Sequence, residues 1–327
     1  MKEIIDMNNK IDFSRFGTQI DDSYPLVSIV IPCYNDGEYL LEAVESALSQ
    51  TYPSVEIIIV DDASNDSVTA SILKSISHPR ITIHHNTENL HLSGTRNRGI
   101  SLSNGKYILP LDADDKIDAS YVQKAVDIME NNSSIGVVYC KAHLFGLQSG
   151  IWELPDYSFD HMLVGNVVFA TALFLKNDWE KAGGYSENLK AGLEDYDFWL
   201  SILELGKEFY QIPEVLFFYR KKDHSMMNDF IDNLSVTKDA YKQIYLNHPG
   251  FYEKHKERYL EKLREDQINL HFSYKRMERA LAVANDTIKH LEYEKKMLEQ
   301  STFWRMTKPA RSTIDMLRRV FTRKVSK

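Results

Sequence analysis

The sequence predicts an α/β domain on a mostly parallel sheet, followed by a long C-terminal helical extension of coiled-coil type. Three observations carry that prediction. Short β-rich runs alternate with amphipathic stretches through the first ~230 residues, as βαβ units require. All 14 glycines lie at or before Gly250, and no proline falls between Pro249 and Pro309. From Leu260 to Leu298 an apolar seam recurs on alternating three- and four-residue steps. The chain has 327 residues, which at ~150 per domain suits two domains or one domain with a large appendage.

Taken in order, residues 1–24 read as an irregular leader and 25–230 as the α/β domain. Residues 231–300 read as the helical extension and 301–327 as a basic amphipathic tail. Strand runs occur at Leu26–Ile31, Glu56–Val60, Ile81–His84, Tyr107–Leu111 and Val137–Tyr139, with amphipathic helices expected near 37–50, 65–77 and 92–102. Further strand-like runs are Val167–Leu175 and Val215–Tyr219. Between these, Leu193, Tyr196, Trp199, Leu200 and Leu203 mark a helix with Glu194 and Asp195 in its first turn, where the dipole favours a carboxylate. On this spacing Trp199 belongs to the core. In 251–300 the seam residues include Leu263, Leu270, Tyr274, Met277, Leu281, Ile288 and Leu291. Such a helix pairs with a second copy of the chain or packs along its own α/β domain, and the pattern leaves both open.

Composition narrows the function classes. Hydrophobic residues are 43% and charged residues 26%, which suits a folded globular chain. The two cysteines, Cys33 and Cys140, exclude a disulfide scaffold and a four-cysteine zinc site, and read as small core residues. The nearly apolar run Leu163–Leu175 is too short to span a bilayer, which takes ~20 residues. MKEIIDMNNKIDF carries acids and no apolar h-region, so a soluble protein of a reducing compartment without a signal peptide is expected. The net charge is −8, yet 301–327 holds eight Lys/Arg against one acid, Asp315. An acidic body repels nucleic acid. The basic tail, with Phe303, Trp304, Ile314, Leu317 and Phe321 interleaved, suits an anionic membrane surface.

In a parallel α/β sheet, ligands bind beyond the carboxyl ends of strands. Here four segments place polar residues at such ends: VSIVIPCYND with Pro32, Tyr34, Asn35 and Asp36; EIIIVDDAS with Asp61 and Asp62; LSGTRNRGI with Arg96 and Asn97; and YILPLDADD with Asp112, Asp114 and Asp115. Crowded carboxylates repel one another unless a cation or a donor-rich ligand neutralises them. Asp112 and Asp114, two apart, can offer oxygens to one hard divalent ion. Tyr34 can stack on a base, Asp61 or Asp62 can accept from a ribose hydroxyl or base N–H, and Arg96 can pair with a phosphate or orient an acid.

The ordered series IVIPCYND, IIIVDDAS, GTRNRGI, YILPLDADD, AGGY and LEDYDFWL resembles the family 2 glycosyltransferases, which are inverting, use nucleotide-sugar donors and have the GT-A fold. The resemblance runs from about Leu26 to Ser225. It implies that Pro32, Tyr34, Asp36, Asp61, Asp62 and Arg96 surround the nucleoside. It implies further that Asp112, Ala113 and Asp114 form the diphosphate motif with Mn2+ or Mg2+, and that Asp195, beside Glu194, is the general base. In YRKKDHSMM, where many relatives have a metal-binding histidine two residues after the arginine, this chain has Lys222. His224, displaced by two, is the candidate third ligand. The implied acceptor is a glycan or lipid-linked hydroxyl, with the enzyme peripheral at the inner face of the plasma membrane.

Other readings remain. A nucleotidyltransferase also sets acids beside a nucleotide, but PCYNDGEYLLEAV lacks the glycine- and lysine-rich phosphate loop. A nucleotide-binding coiled-coil scaffold without catalysis leaves Asp195 without a task. The turn Ala182–Gly183–Gly184–Tyr185 either brings backbone close to the sugar or is a plain turn. His84, His85 and His91 fall outside every motif.

Overall fold

The structure, a computed structural model, describes residues 10–190, 192–223, 233–302 and 306–307. It divides into two compact units, Met1–Lys262 and Leu263–Lys327. The first unit is wound around one mixed sheet. Its first half is β1 (Val27–Cys33), α1 (Gly37–Leu48), β2 (Val55–Asp61), α2 (Ser67–Ser75), β3 (Ile81–His85), α3 (His91–Leu102) and β4 (Tyr107–Pro110). The second half is β5 (Lys116–Ile117), α4 (Tyr121–Asn131), β6 (Ile135–Gly146), β7 (Gly150–Trp152), α5 (Phe159–Val164), β8 (Leu173–Leu175), α6 (Lys176–Ala182), α7 (Glu194–Glu204) and β9 (Glu208–Lys221). Three helices follow: α8 (Leu234–Asn247), α9 (Pro249–Lys254) and α10 (Lys256–Gln300).

The strand order is β3-β2-β1-β4-β8-β6-β9-β5, with β7 on β6. The β3-β2-β1-β4 part is parallel, in the register Val27↔Val55 and Val27↔Tyr107 about β1. Both β1 and β2 are almost wholly buried, which is why they read as continuous apolar runs. Beyond β4 the pairings of β4 with β8, β8 with β6, and β5 with β9 are antiparallel, while β6 and β9 run parallel. Because β1 has β2 on one side and β4 on the other, the chain reverses direction across the sheet there. That switch point opens a crevice at the strand ends.

The expected strands appear at their expected places, with one change of kind. Val167–Leu175 is extended only at Leu173–Leu175. Upstream, the Asn166 side chain accepts from Val168 N–H at 3.0 Å, and Ala172 N–H bonds Ala170 C=O, so the backbone turns. Val167, Val168 and Phe169 are still buried, so the apolar run marked burial rather than strand. Residues 10–24 form no regular element, yet Phe13 is buried and Ile11 N–H bonds Ser75 C=O. The helices after residue 231 do not all stand apart, since Ala240, Ile244, Phe251 and Tyr252 belong to the core of the first unit. Cys33, Cys140 and Trp199 are buried.

In the second unit α10 continues as an unbroken helix, and none of its residues is buried. Its seam residues Leu270, Met277, Leu281, Ile288, Leu291 and Leu298 are exposed. Among the described residues no helix is long and apolar enough to cross a membrane. Most of the basic tail, including Phe303, Trp304 and Phe321, lies outside the described residues.

Candidate active site

A cleft of about 950 Å³ opens at the strand ends, lined by residues from each motif region except the AGGY turn. Pro32, Tyr34 and Asp36 reach it from β1, Asp62 from β2, and Thr95 and Arg96 from α3. The loop after β4 gives Asp112, Ala113, Asp114 and Asp115, the start of α7 gives Glu194 and Asp195, and Lys222 follows β9. The backbone is bent at these junctions. Asn35, Ala63, His91 and Leu193 hold φ of 57°, 59°, 59° and 64°, each costing a non-glycine residue about 1 kcal/mol or more.

Arg96 organises the acids. It sits on α3 with its side chain 1% exposed. Its Nη2 donates to Asp112 Oδ1 at 2.7 Å and its Nη1 to Glu194 Oε1 at 2.6 Å. One guanidinium fork therefore joins the D-x-D turn to the Glu194–Asp195 pair. Burial opposes its charge, but Asp112 and Glu194 outweigh burial and hold it protonated. The helix can lie this close to the sheet because residue 99 is glycine, where a Cβ would stand 2.4 Å from Val30 Cγ1.

Asn97, on the next position of α3, fixes the AGGY turn. Its side chain accepts from Tyr185 N–H and donates to Tyr185 C=O, both at 2.8 Å, and Trp179 Nε1 donates to it at 3.2 Å. Gly183 ends α6 at φ 83°, and Gly184 follows at φ 79° against Asn97. None of residues 182–185 is on the cleft lining, and the turn packs against Asn97. Tyr185 itself is buried beneath Arg96, 5.7 Å from ring centre to guanidinium carbon.

The two acids after β2 part company. Asp61 accepts from Ser64 N–H at 3.0 Å and pairs with His85 Nδ1 at 2.8 Å, which turns it into the loop and off the cleft lining. Asp62 lines the cleft and accepts from Asn86 Nδ2 and Leu90 N–H, both at 2.8 Å. Tyr34 lines the cleft and is 43% exposed.

At the D-x-D turn each acid has a cation. Lys222 Nζ lies 2.7 Å from Asp114 Oδ2 and 2.9 Å from Asp36 Oδ1. Arg220, which sequence reasoning passed over, holds the turn from behind. Its Nε donates to Asp114 C=O at 2.8 Å and its N–H to Asp115 Oδ1 at 2.7 Å. Burial raises the Asp114 carboxyl and Lys222 opposes that rise, whereas Asp115 is driven well up by burial and by Asp114 and Asp112. The one available signal was the arginine of YRKKDH. His224 lies outside the described residues. Among the described residues no three His, Cys, Asp or Glu side chains come together as a metal site.

Asp195 differs from its neighbours. Its Oδ1 accepts from Tyr196 N–H at 2.7 Å, yet burial and then the Glu194 charge push its carboxyl up to about 7. Arg96 pulls the other way without prevailing. A carboxyl poised there takes or gives a proton near neutrality. Asn166 hydrogen-bonds Asp195 and Tyr241 feels its charge, and Trp152, Phe169, Tyr219, Thr237, His91 and Lys190 also line the cleft.

A family profile described as Glycosyl transferase family 2 matches residues 28–170. An uncharacterized glycosyltransferase of Methanocaldococcus jannaschii is 31% identical over 211 residues, 60% of this chain and 71% of that protein. Chondroitin synthase of Escherichia coli is 30% identical over 188 residues, 56% of this chain. The aligned part spans only 27% of that synthase's length. Among solved structures, S. aureus TarS 1-349 in complex with UDP-GlcNAc aligns with a TM-score of 0.54 at 17% identity, over 68% of this chain and 66% of that one. That likeness is one of fold.

Proposed function

The chain belongs to the family 2 glycosyltransferases, and from that premise we propose that it moves a glycosyl group, with inversion, from a nucleotide-sugar donor to a hydroxyl of a glycan or lipid-linked acceptor. The carrying observation is the Arg96 fork between Asp112 and Glu194, with Asp195 exposed to the same cleft. The relatives add weight to a nucleotide-sugar donor, since one is a chondroitin synthase and a fold neighbour binds UDP-GlcNAc.

In this reading Tyr34 stacks on the base and Asp62 accepts from the base or ribose. Asp195 takes the acceptor's proton as the hydroxyl oxygen bonds to the anomeric carbon. The bond to the diphosphate breaks in the same step and its electron pair leaves with the diphosphate oxygen. Arg96 does not touch the reacting atoms. It fixes Asp112 and Glu194, and thereby the turn from which Asp195 projects.

A divalent ion, where bound, neutralises a leaving diphosphate. The residues present do not fit the expected Mn2+ or Mg2+. The place of the relatives' histidine holds Lys222, whose ammonium already sits between Asp36 and Asp114. Accordingly no step is routed through an ion.

The test is a screen of UDP-, dTDP- and GDP-sugars for binding and donor hydrolysis, with the anomeric configuration of the product read by NMR. An inverted product from one donor class is expected. Binding to none of the three would remove the proposal.

The exposed seam of α10 supports self-association through 251–300. Light scattering of the full chain should give a dimer mass that Leu270→Glu with Leu281→Glu halves; a monomeric wild type ends this part. For 301–327 the proposal is peripheral attachment to anionic lipid at the inner face of the plasma membrane. Flotation with anionic vesicles should recover the full chain and lose one ending at residue 300; equal recovery contradicts it.

A further inference from the structure

Two cations each pair with two acids of the cleft, and they differ in what they leave over. Arg96 is closed on both sides by carboxylates at a point 1% exposed. Lys222 keeps 21% of its side chain exposed, lines the cleft, and lies 5.2 Å over the Tyr39 ring. An ammonium has three N–H donors. Asp36 and Asp114 take two of them, which leaves one for an anion in the cleft. Burial works against the charge of Lys222, but Asp114 and Asp36 outweigh it, so the group stays protonated at neutral pH. The geometry therefore puts a side chain where a divalent ion would sit, one positive centre touching two strand-end carboxylates with a donor left over, though with one positive charge instead of two.

We infer that Lys222 is the resident cation of this site, holding a phosphoryl oxygen of the departing nucleoside diphosphate so that donor binding and turnover need no divalent ion. The inference rests on the transferase reading above. During transfer the anomeric C–O bond to the diphosphate breaks and its electron pair stays on that oxygen. The Lys222 ammonium offsets the new charge and keeps its proton, while the acceptor's proton goes to Asp195. Asp36 and Asp114 are then positioning residues, which hold the ammonium at the place the diphosphate must reach.

The experiment uses the full chain, with calorimetric binding of UDP, dTDP and GDP and hydrolysis of the matching sugar donors, each in EDTA and in Mn2+. Mn2+ binding to the protein alone is followed by electron paramagnetic resonance. For the wild type we expect binding and turnover in EDTA within about twofold of those in Mn2+, and an unaltered Mn2+ signal. Lys222→Ala should lose about 100-fold in turnover in EDTA, as removal of one charge-stabilising donor does. Lys222→Arg, which keeps the charge, should retain at least about a tenth, and Lys222→His should acquire Mn2+ binding and Mn2+-dependent turnover. Wild-type turnover that vanishes in EDTA and returns with Mn2+ overturns the inference and leaves the transferase reading standing. A folded Lys222→Ala that binds and turns over donor like the wild type in EDTA also overturns it. Failure of the wild type to bind any of the three nucleotides, with or without Mn2+, removes the transferase reading itself and this inference with it.

Discussion

At the β4 end of the cleft Asp112 and Asp114 each lie 2.7 Å from a cation, Arg96 and Lys222 respectively. At the α7 end Glu194 has Arg96 at 2.6 Å, but Asp195 beside it has no cation at bonding distance among the described residues and accepts a backbone N–H instead. Glu194 and Asp195 are adjacent in sequence, share one helix terminus and feel the same dipole. One has a charge partner, and the other is left to burial and to its neighbour's repulsion, which push the Asp195 carboxyl up. Pairing in space, rather than residue type or position on the helix, separates an acid that holds structure from one available to move a proton.

The sharpest way to break this contrast is Asp195→Asn. It should lower turnover about 10²- to 10⁴-fold while nucleotide binding measured by calorimetry stays unchanged. A loss of binding instead would make Asp195 part of the donor site. Next in size is Arg96→Ala, which strands two carboxylates around a buried gap. Denaturant unfolding should show a loss of about 3–5 kcal/mol, and a loss below about 1 kcal/mol would mean the fork is not what joins the two ends.

Asp62→Ala removes an acceptor on the cleft and should weaken donor binding about 10-fold or more. Asp61→Ala, turned away toward His85, should change donor binding by about twofold at most and act through stability alone. The reverse order would show that the β2 end rearranges when donor binds.

A further effect is one of pH. A native carboxyl raised from its ordinary 3.8 to about 7 stays protonated where the unfolded chain has already lost the proton. Asp195 therefore costs the fold nothing below about pH 4, and it lowers stability progressively as pH rises toward about 7. Asp195→Asn should thus gain stability relative to the wild type over that window, and none at pH 3. In the same window kcat/KM of the wild type should rise with pH and level off above about 7, as a base that must be ionised requires. A flat profile would point to a base other than Asp195.

Much of the first unit was legible because its parallel strands are buried on both faces and announce themselves as apolar runs ending in polar residues. Val27–Cys33, Val55–Asp61 and Tyr107–Pro110 follow that pattern closely. The pattern failed at Val167–Phe169, where an equally apolar run is a buried turn. Hydrophobicity reports burial, and an Asn166 side chain that satisfies the backbone lets a non-strand segment be buried. At the site, the motif residues were visible as types, but their partners were not. Asn97 appeared as one more strand-end polar group and is the pin of the Gly183–Gly184 turn. Arg220 appeared only as part of a basic stretch, and Lys222 only as the residue standing where many relatives have a histidine. They hold, respectively, the backbone and a carboxylate of the D-x-D turn, more than 100 residues away in the chain.

By itself the sequence determined the parallel strands and the helices between them in the first half of the domain, because those choices follow from local periodicity and from the need to bury apolar faces. It also fixed the set of acids that the strand ends would present. What only the tertiary structure decided is how those acids are shared: Arg96 with Asp112 and Glu194, Lys222 with Asp36 and Asp114, and Asp195 with neither. Charges pair over a few ångströms of space, and the strand order β2-β1-β4, with α3 pressed against β1 and β2 at Gly99, sets those distances. No local pattern along the chain contains them.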